Sequence, residues 1–154
     1  MDRRNFLKKA IGGIIGLQFA ALFYSFFRNN KPTEQAVANN WLELGMVDDF
    51  QNGKTYSFPN NKLFLHRTVD GEFLALSNKC THLGCAINLN TQTGGFVCPC
   101  HSSHFDELGN VVQSPAKRAL DYYPIHIQAQ KILVDLNGGM KRASFNKNQL
   151  TSVS

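Results

Sequence analysis

The sequence predicts an all-β domain behind one N-terminal membrane helix. Three observations predict it. After residue 40 no stretch sustains a helical period, and apolar and polar residues alternate in short runs broken by Gly and Asn. Residues 10–27, AIGGIIGLQFAALFYSFF, carry no charge. The chain has 154 residues, 43% hydrophobic and 18% charged, which fits one small domain with an appendage and is too polar for several membrane spans.

Residues 1–9 are basic, and Arg3-Arg4-Asn5-Phe6-Leu7-Lys8 resembles the twin-arginine signal that exports folded proteins across a bacterial membrane. As a helix, the apolar run 10–27 spans about 27 Å, close to a bilayer core of about 30 Å. The apolar part of a cleaved signal peptide is shorter, about 7–15 residues. A small-residue triplet, Ala36-Val37-Ala38, keeps cleavage as the alternative, but it lies well beyond the run. The expectation is an uncleaved single-pass anchor in the bacterial cytoplasmic membrane, with the remainder on the periplasmic side. Residues 28–39, RNNKPTEQAVAN, read as a linker.

The net charge of +5 is not evenly spread. Residues 1–31 hold six basic side chains against Asp2, whereas residues 32–154 hold ten basic and ten acidic ones. The folded part therefore has no basic excess, and a nucleic-acid partner is not expected.

The β domain is expected over 40–137. Leu63–Val69 and Glu72–Leu76 flank Asp70-Gly71, a dipeptide suited to a tight hairpin turn. Gly109-Asn110 marks a turn within 106–112, with Asp106 supporting it. Ile125, Ile127 and Ala129, then Ile132, Val134 and Leu136, alternate with polar residues, so 122–136 reads as another hairpin. His66 and His126 fall on strands and read as ordinary half-exposed residues. Residues 138–154 read as a loosely packed polar tail.

The chemistry lies in residues 80–105. All four cysteines and three of the five histidines fall there, as Cys80-Thr81-His82-Leu83-Gly84-Cys85 and Cys98-Pro99-Cys100-His101-Ser102-Ser103-His104. Cys80-x-His82 and Cys98-x-x-His101 each offer one thiolate and one imidazole from a short loop. A structural zinc site also uses two Cys and two His, but its ligand pairs are usually spaced more widely than Cys80-x-His82. Two disulfides with incidental histidines would leave both half-motifs as coincidence.

CTHLGC followed by CPCHSS resembles the Rieske iron–sulfur proteins, in which two His replace two Cys on one iron of a 2Fe-2S cluster. The resemblance covers about residues 60–128. It implies a small antiparallel β sandwich with a cluster-binding part at about 78–118. It implies that Cys80 and Cys98 hold one iron, that His82 and His101 hold the other, and that Cys85 and Cys100 form a disulfide between the two loops. An exported domain permits such a bond. With neutral imidazoles, two ferric ions, two sulfides and two thiolates sum to a neutral core, whereas four thiolates would leave a dianion. An electron enters the neutral core more easily, and the second imidazole nitrogens can take up a proton with it.

Further positions follow from the same resemblance. Ser103 matches a serine whose hydroxyl bonds a bridging sulfide, and Leu83 matches an apolar cover over the cluster. Ser114-Pro115-Ala116 resembles a Gly-Pro-Ala-Pro loop that shields the cluster, with Lys117 in place of the last Pro. Ser102 replaces a usual Gly, so the expectation is a local backbone that differs from the family's. Phe105 stands where high-potential members have Tyr, so a hydroxyl that raises the potential is missing. His104 has the wrong spacing for a ligand.

The implied function is electron transfer as the Rieske subunit of a membrane cytochrome bc-type complex. The protein would take an electron and a proton from quinol, with menaquinol the expected quinol, and pass the electron to a c-type cytochrome beside a cytochrome b-type subunit. It would not be catalytic alone. Two other classes share the ligands: the small Rieske subunit of an exported molybdenum oxidase of the arsenite-oxidase type, and a soluble Rieske ferredoxin or oxygenase component. The soluble class lacks the second cysteine pair, the export signal and the anchor.

Overall fold

The computed structural model describes Gln18, residues 21–25 and residues 41–153. The chain divides into an N-terminal unit, Met1–Asn39, and a C-terminal unit, Asn40–Ser154. Gln18 and residues 21–25 are helical, with Leu22, Phe23 and Tyr24 exposed. Among the described residues no helix is long and apolar enough to cross a membrane. The export signal and most of the expected anchor lie outside the described residues.

The C-terminal unit is all-β, with three antiparallel sheets and single 3-10 turns as its only described helical elements. The first sheet joins β1 (Trp41–Met46) to β11 (Lys131–Asp135) and β10 (Ile125–Gln128). The second runs β2 (Lys54–Phe58), β3 (Leu63–Arg67), β4 (Phe73–Ser77) and β9 (Tyr122–Tyr123). The third holds four strands of two or three residues: β5 (Asn88–Leu89), β6 (Phe96–Val97), β7 (His104–Phe105) and β8 (Val111–Gln113).

Strands β3 and β4 read as near-continuous apolar runs because both faces of their sheet are covered. Side chains alternate across a strand, so Leu63, Leu65, Phe73 and Ala75 face one way. There they meet Ile132 and Val134 of the first sheet, with Val47 and Phe50. Phe64, Leu74 and Leu76 face the other way, onto Cys80, Ile87, Phe96, Cys98 and Phe105. Each such Phe or Leu contributes on the order of 1.5–3 kcal/mol by leaving water. The same alternation corrects the reading of His66. It shares the Phe64 face, is only 4% exposed, and hydrogen-bonds through Nδ1 to the Thr55 hydroxyl at 2.9 Å. His126 is exposed, as expected, with its ring against that of Trp41.

Two turns differ from the expected ones. The β3–β4 connection is five residues, 68–72, rather than a two-residue turn. Thr68 N–H donates to Glu72 O at 2.8 Å and Gly71 N–H to Thr68 O at 3.0 Å. The β10–β11 turn is made by Ala129 and Gln130, both with positive φ, so Ala129 belongs to the turn and not to the alternating strand. The Asp106–Asn110 turn forms as expected, with Asp106 Oδ1 accepting from Asn110 N–H at 2.7 Å.

The segment after residue 137 is not a loose tail. Met140 pairs with Tyr122 and Thr151 with Phe73, and Phe145 and Leu150 pack onto the core group that includes Phe64, Leu74 and Leu76. Arg142 is buried, and burial pushes its pKa down, against the opposing pull of Asp106. Its guanidinium donates to the carbonyls of Leu120 and Leu108, which supplies the partners that a buried cation requires. The strap is polar because it bonds through its backbone and through polar side chains: Arg142, the Thr151 hydroxyl to Ile125 O and the Ser152 hydroxyl to Glu72.

Candidate metal centre

Both cysteine–histidine motifs lie on loops leaving regular strands. The first loop follows β4 and ends at β5; the second connects β6 to β7. Their backbones fold alike. Cys80 N–H donates to Cys85 O at 2.8 Å, and Gly84 N–H to Cys80 O at 2.9 Å. Cys98 N–H donates to Ser103 O at 2.9 Å, and Ser102 N–H to Cys98 O at 3.0 Å. In each loop the cysteine carbonyl accepts from the fourth residue on, which has positive φ: Gly84 at 82° and Ser102 at 56°. Ser102 thus keeps the left-handed conformation for which Gly is suited, at a cost of about 1–2 kcal/mol. The loop therefore keeps the fold of the Gly84 loop with a serine at the corresponding position.

The repeated fold brings the four cysteines together. Cys85 and Cys100 form a disulfide with a Cα–Cα distance of 6.6 Å, the pairing the resemblance implied. Cys80 and Cys98 are free and buried, 3% and 1% exposed. The Cys98 sulfur lies within 4.8 Å of both disulfide sulfurs. Those three sulfurs are not themselves a ligand set, because two are bonded to each other. The disulfide is a staple beside the free thiols.

The imidazoles of His82 and His101 lie edge to face, with ring centroids 5.0 Å apart. His82 Nδ1 is buried with no hydrogen-bond partner, the one such side-chain atom among the described residues. Burial pushes the Cys80 thiol up. The backbone N–H of His82 opposes this, the adjacent Cys98 thiol adds to it, and the Ser103 hydroxyl opposes it. Two crowded, buried thiols and an orphaned imidazole nitrogen are costly alone and favourable around a cation, which stabilises thiolates and accepts the nitrogen lone pair. This donor set fits a [2Fe-2S] group with two sulfur and two nitrogen ligands.

The remaining predicted residues are placed as follows. Ser103 is fully buried; its oxygen accepts from Ala116 N–H at 3.0 Å, leaving the hydroxyl hydrogen free to donate to sulfur. Phe105 is 3% exposed, in the core group that contains Cys80 and Cys98. Leu83 is 69% exposed at the apex of the first loop. Pro115 follows a cis peptide bond in the segment that reaches the second loop through Ala116. His104 is half-buried on β7 and is not grouped with the sulfurs. Sequence reasoning missed Thr81, whose hydroxyl donates to Arg118 O at 2.7 Å and ties the first loop to the 114–121 segment. A threonine in a loop gives no signal of so distant a partner.

The family model for the Rieske [2Fe-2S] domain matches residues 40–124. The cytochrome b6-f complex iron-sulfur subunit of Chlorobaculum tepidum is 30% identical over 138 residues, 88% of this chain and 76% of that protein. Among solved structures, a chain of a hyperthermophilic respiratory Complex III aligns with a TM-score of 0.55 and 26% identity, covering 81% of this chain and 98% of that one. The plasma-membrane Rieske protein of the cyanobacterium Synechocystis aligns with a TM-score of 0.50 and 31% identity, covering 60% of this chain and 97% of that one.

Proposed function

The chain belongs to the Rieske [2Fe-2S] family, and we propose from that premise that it is the electron-transfer subunit of a quinol-oxidising membrane complex of cytochrome bc type. One observation carries the ligand assignment: two buried free thiols, Cys80 and Cys98, beside a pair of imidazoles of which one has an orphaned buried nitrogen. On this reading the thiolates hold one iron, and His82 and His101 hold the other. When bound, the cluster supplies a one-electron centre whose potential falls within a broad Rieske range of about −150 to +300 mV.

The chain's own residues do the rest. His101 is exposed and His82 half-buried, so the imidazole side faces outward, where a quinol hydroxyl can reach a ring nitrogen and hand over its proton. The thiol side is buried under Phe105, Ala116 and Leu120, which keeps water from the sulfurs. Leu83 presents an apolar contact at the apex. Phe105 lacks the hydroxyl that would raise the potential, which favours menaquinol over ubiquinol as donor.

The b6-f relative matches 88% of the chain, more than residues 40–154 alone supply, so the likeness runs into the N-terminal unit. This supports a membrane subunit over a soluble ferredoxin. The anchor over 10–27, the twin-arginine signal and a periplasmic β domain belong to the same proposal. The test is purification from membranes with mild detergent. The proposal expects a b-type and a c-type cytochrome to co-purify, and a menaquinol analogue to reduce the cluster. Co-purification with a molybdopterin subunit would establish the oxidase alternative instead. Changing Arg3-Arg4 to Lys-Lys should strand the protein in the cytoplasm; normal export would remove the twin-arginine reading.

A further inference from the structure

The charges of the C-terminal unit are sorted along the β3–β4 hairpin. At its cluster end, Lys62 O accepts from Asn78 N–H at 3.0 Å, which sets Lys62 at the root of the first cluster loop. Lys79 follows, exposed, with its Cε 2.9 Å from where a Cβ on Gly84 would stand, so its stem lies along that loop. Lys117 is exposed between two residues tied to the cluster loops: Ala116, bonded to Ser103 Oγ, and Arg118, bonded to the Thr81 hydroxyl. The Arg118 charge is matched by Asp121, and among the described residues no carboxylate pairs with Lys62, Lys79 or Lys117.

The far end has the opposite sign. Asp70 and Glu72 sit in the 68–72 loop. Asp48 and Asp49 precede Phe50, whose carbonyl receives the Arg67 guanidinium at 2.6 Å. Glu107 and Lys147 line one cavity with Asp70 and Glu72, and Lys54, Arg67 and Lys147 offset only part of these five carboxylates. A five-residue strand separates the two ends by about 16 Å, more than the screening length of about 8 Å at physiological salt. The described residues 41–153 hold ten basic and nine acidic side chains, a near balance, and yet form a dipole with its positive pole around the cluster loops. Within that pole the exposed Leu83 is the one large apolar side chain of the first loop. A small apolar contact ringed by like charges suits brief docking between proteins: the charges set the rate of encounter, and the apolar centre lets the two surfaces close without deep burial.

We propose that Lys62, Lys79 and Lys117 form a basic collar around the Leu83 apex, which steers the cluster end onto a redox protein with an acidic face. This rests on the electron-transfer reading and adds the chemistry of the partner's surface.

The test uses the full chain in detergent with its cluster loaded and reduced. It is mixed with two oxidised acceptors in turn, an acidic plastocyanin and a basic mitochondrial cytochrome c. Salt is raised from about 0.01 M to about 1 M, which shortens the screening length from about 30 Å to about 3 Å. The rate with the acidic acceptor should fall at least about tenfold over this range, and the rate with the basic one should not fall. The double variant Lys79→Glu with Lys117→Glu should lose about tenfold at low salt with the acidic acceptor and match wild type at high salt. Its electron spin resonance spectrum should be unchanged. Lys79→Gln keeps most of the stem over Gly84 and should give an intermediate loss. A loaded wild-type cluster that reduces the acidic acceptor at a salt-independent rate overturns the collar alone. So does a charge reversal that leaves the low-salt rate intact, or one whose only effect is lost binding to phosphatidylglycerol vesicles, which would assign the lysines to lipid. A loaded cluster that reduces neither acceptor overturns the electron-transfer reading and the collar with it.

Discussion

Strand β4, paired along its length with β3, runs directly into the first cluster loop, yet strands and loops hold their shape by different means. The strands are five residues each, fully paired, and covered on both faces by Leu, Phe and Ile. The third sheet, which carries the cluster loops, has strands of two or three residues, and such strands are too short to stand alone. The loops depend on a disulfide, the Thr81–Arg118 and Ser103–Ala116 hydrogen bonds, and the metal centre. The regular half gains stability from buried area that many sequences could supply. The loop half depends on particular residues and on the group it binds, so damage there should fall on chemistry before it falls on the fold.

The largest effect tests the metal side of that contrast. His82→Cys or His101→Cys should abolish the Rieske spin-resonance signal, because an anionic sulfur on the second iron lowers the potential and removes the proton-accepting nitrogen. The chain should still fold, since neither ring belongs to the core groups. A wild-type spectrum from either variant would sink the ligand assignment.

Phe73 sharpens the contrast from the strand side. It is fully buried between the sheets, and Phe73→Ala should cost about 3–5 kcal/mol in urea unfolding. Folded protein that survives should keep a normal spectrum. A changed spectrum at unchanged stability would mean that the two halves are not separable in this way.

These two variants also mark what the sequence makes legible. The proposed ligands and the disulfide cysteines lie in local motifs, CTHLGC and CPCHSS, and the resemblance those motifs carry implies their roles without knowledge of the fold. The hairpins are legible because alternation is a local pattern. The burial of His66 is not, because two-sided coverage of a sheet is decided by what folds over it; an unbroken run LFLHR was its only sign. The strap after residue 137 is likewise silent. Its pairings, Met140 with Tyr122 and Thr151 with Phe73, are between backbones, and backbone hydrogen bonds leave no mark in side-chain composition.

Removing the staple should cost less than emptying the core. Cys85→Ser with Cys100→Ser opens a loop closed over a separation of 15 residues, worth about 3 kcal/mol. Hydrogen exchange should place the loss in residues 80–103, with β3 and β4 as protected as before. Uniform loss through both halves would show that the staple holds the whole unit.

Phe105→Tyr is a finer probe of the loop half. Ser102 has a positive φ and the same hydrogen bond to the loop's first cysteine that Gly84 has in the other loop, which supports the expected placing of Phe105 on the following strand. A hydroxyl added there, beside Cys80 and Cys98, should bond to a ligand sulfur and favour the reduced cluster by about 1–1.5 kcal/mol. For one electron that raises the midpoint by about 40–65 mV. Protein-film voltammetry reads it, and a midpoint that stays or falls would place Phe105 elsewhere.

The smallest effect concerns His66, where the two halves meet. Burial lowers its pKa from the ordinary 6.5, with Glu107 and then Asp106 pulling the other way. The folded chain therefore resists a proton that the unfolded chain accepts near pH 6.5. As pH falls through that value the unfolded state binds more protons, and stability falls with it. The loss levels off once the pH is below the folded-state value. His66→Gln removes the titration and keeps an amide able to meet the Thr55 hydroxyl. Urea unfolding at pH 7.5 and at pH 5 should show wild type losing more stability than the variant. Equal losses would mean that the acid sensitivity lies with other groups, and that the contact between β3 and the Asp106–Asn110 turn of the third sheet is as indifferent to protons as the strands' own core.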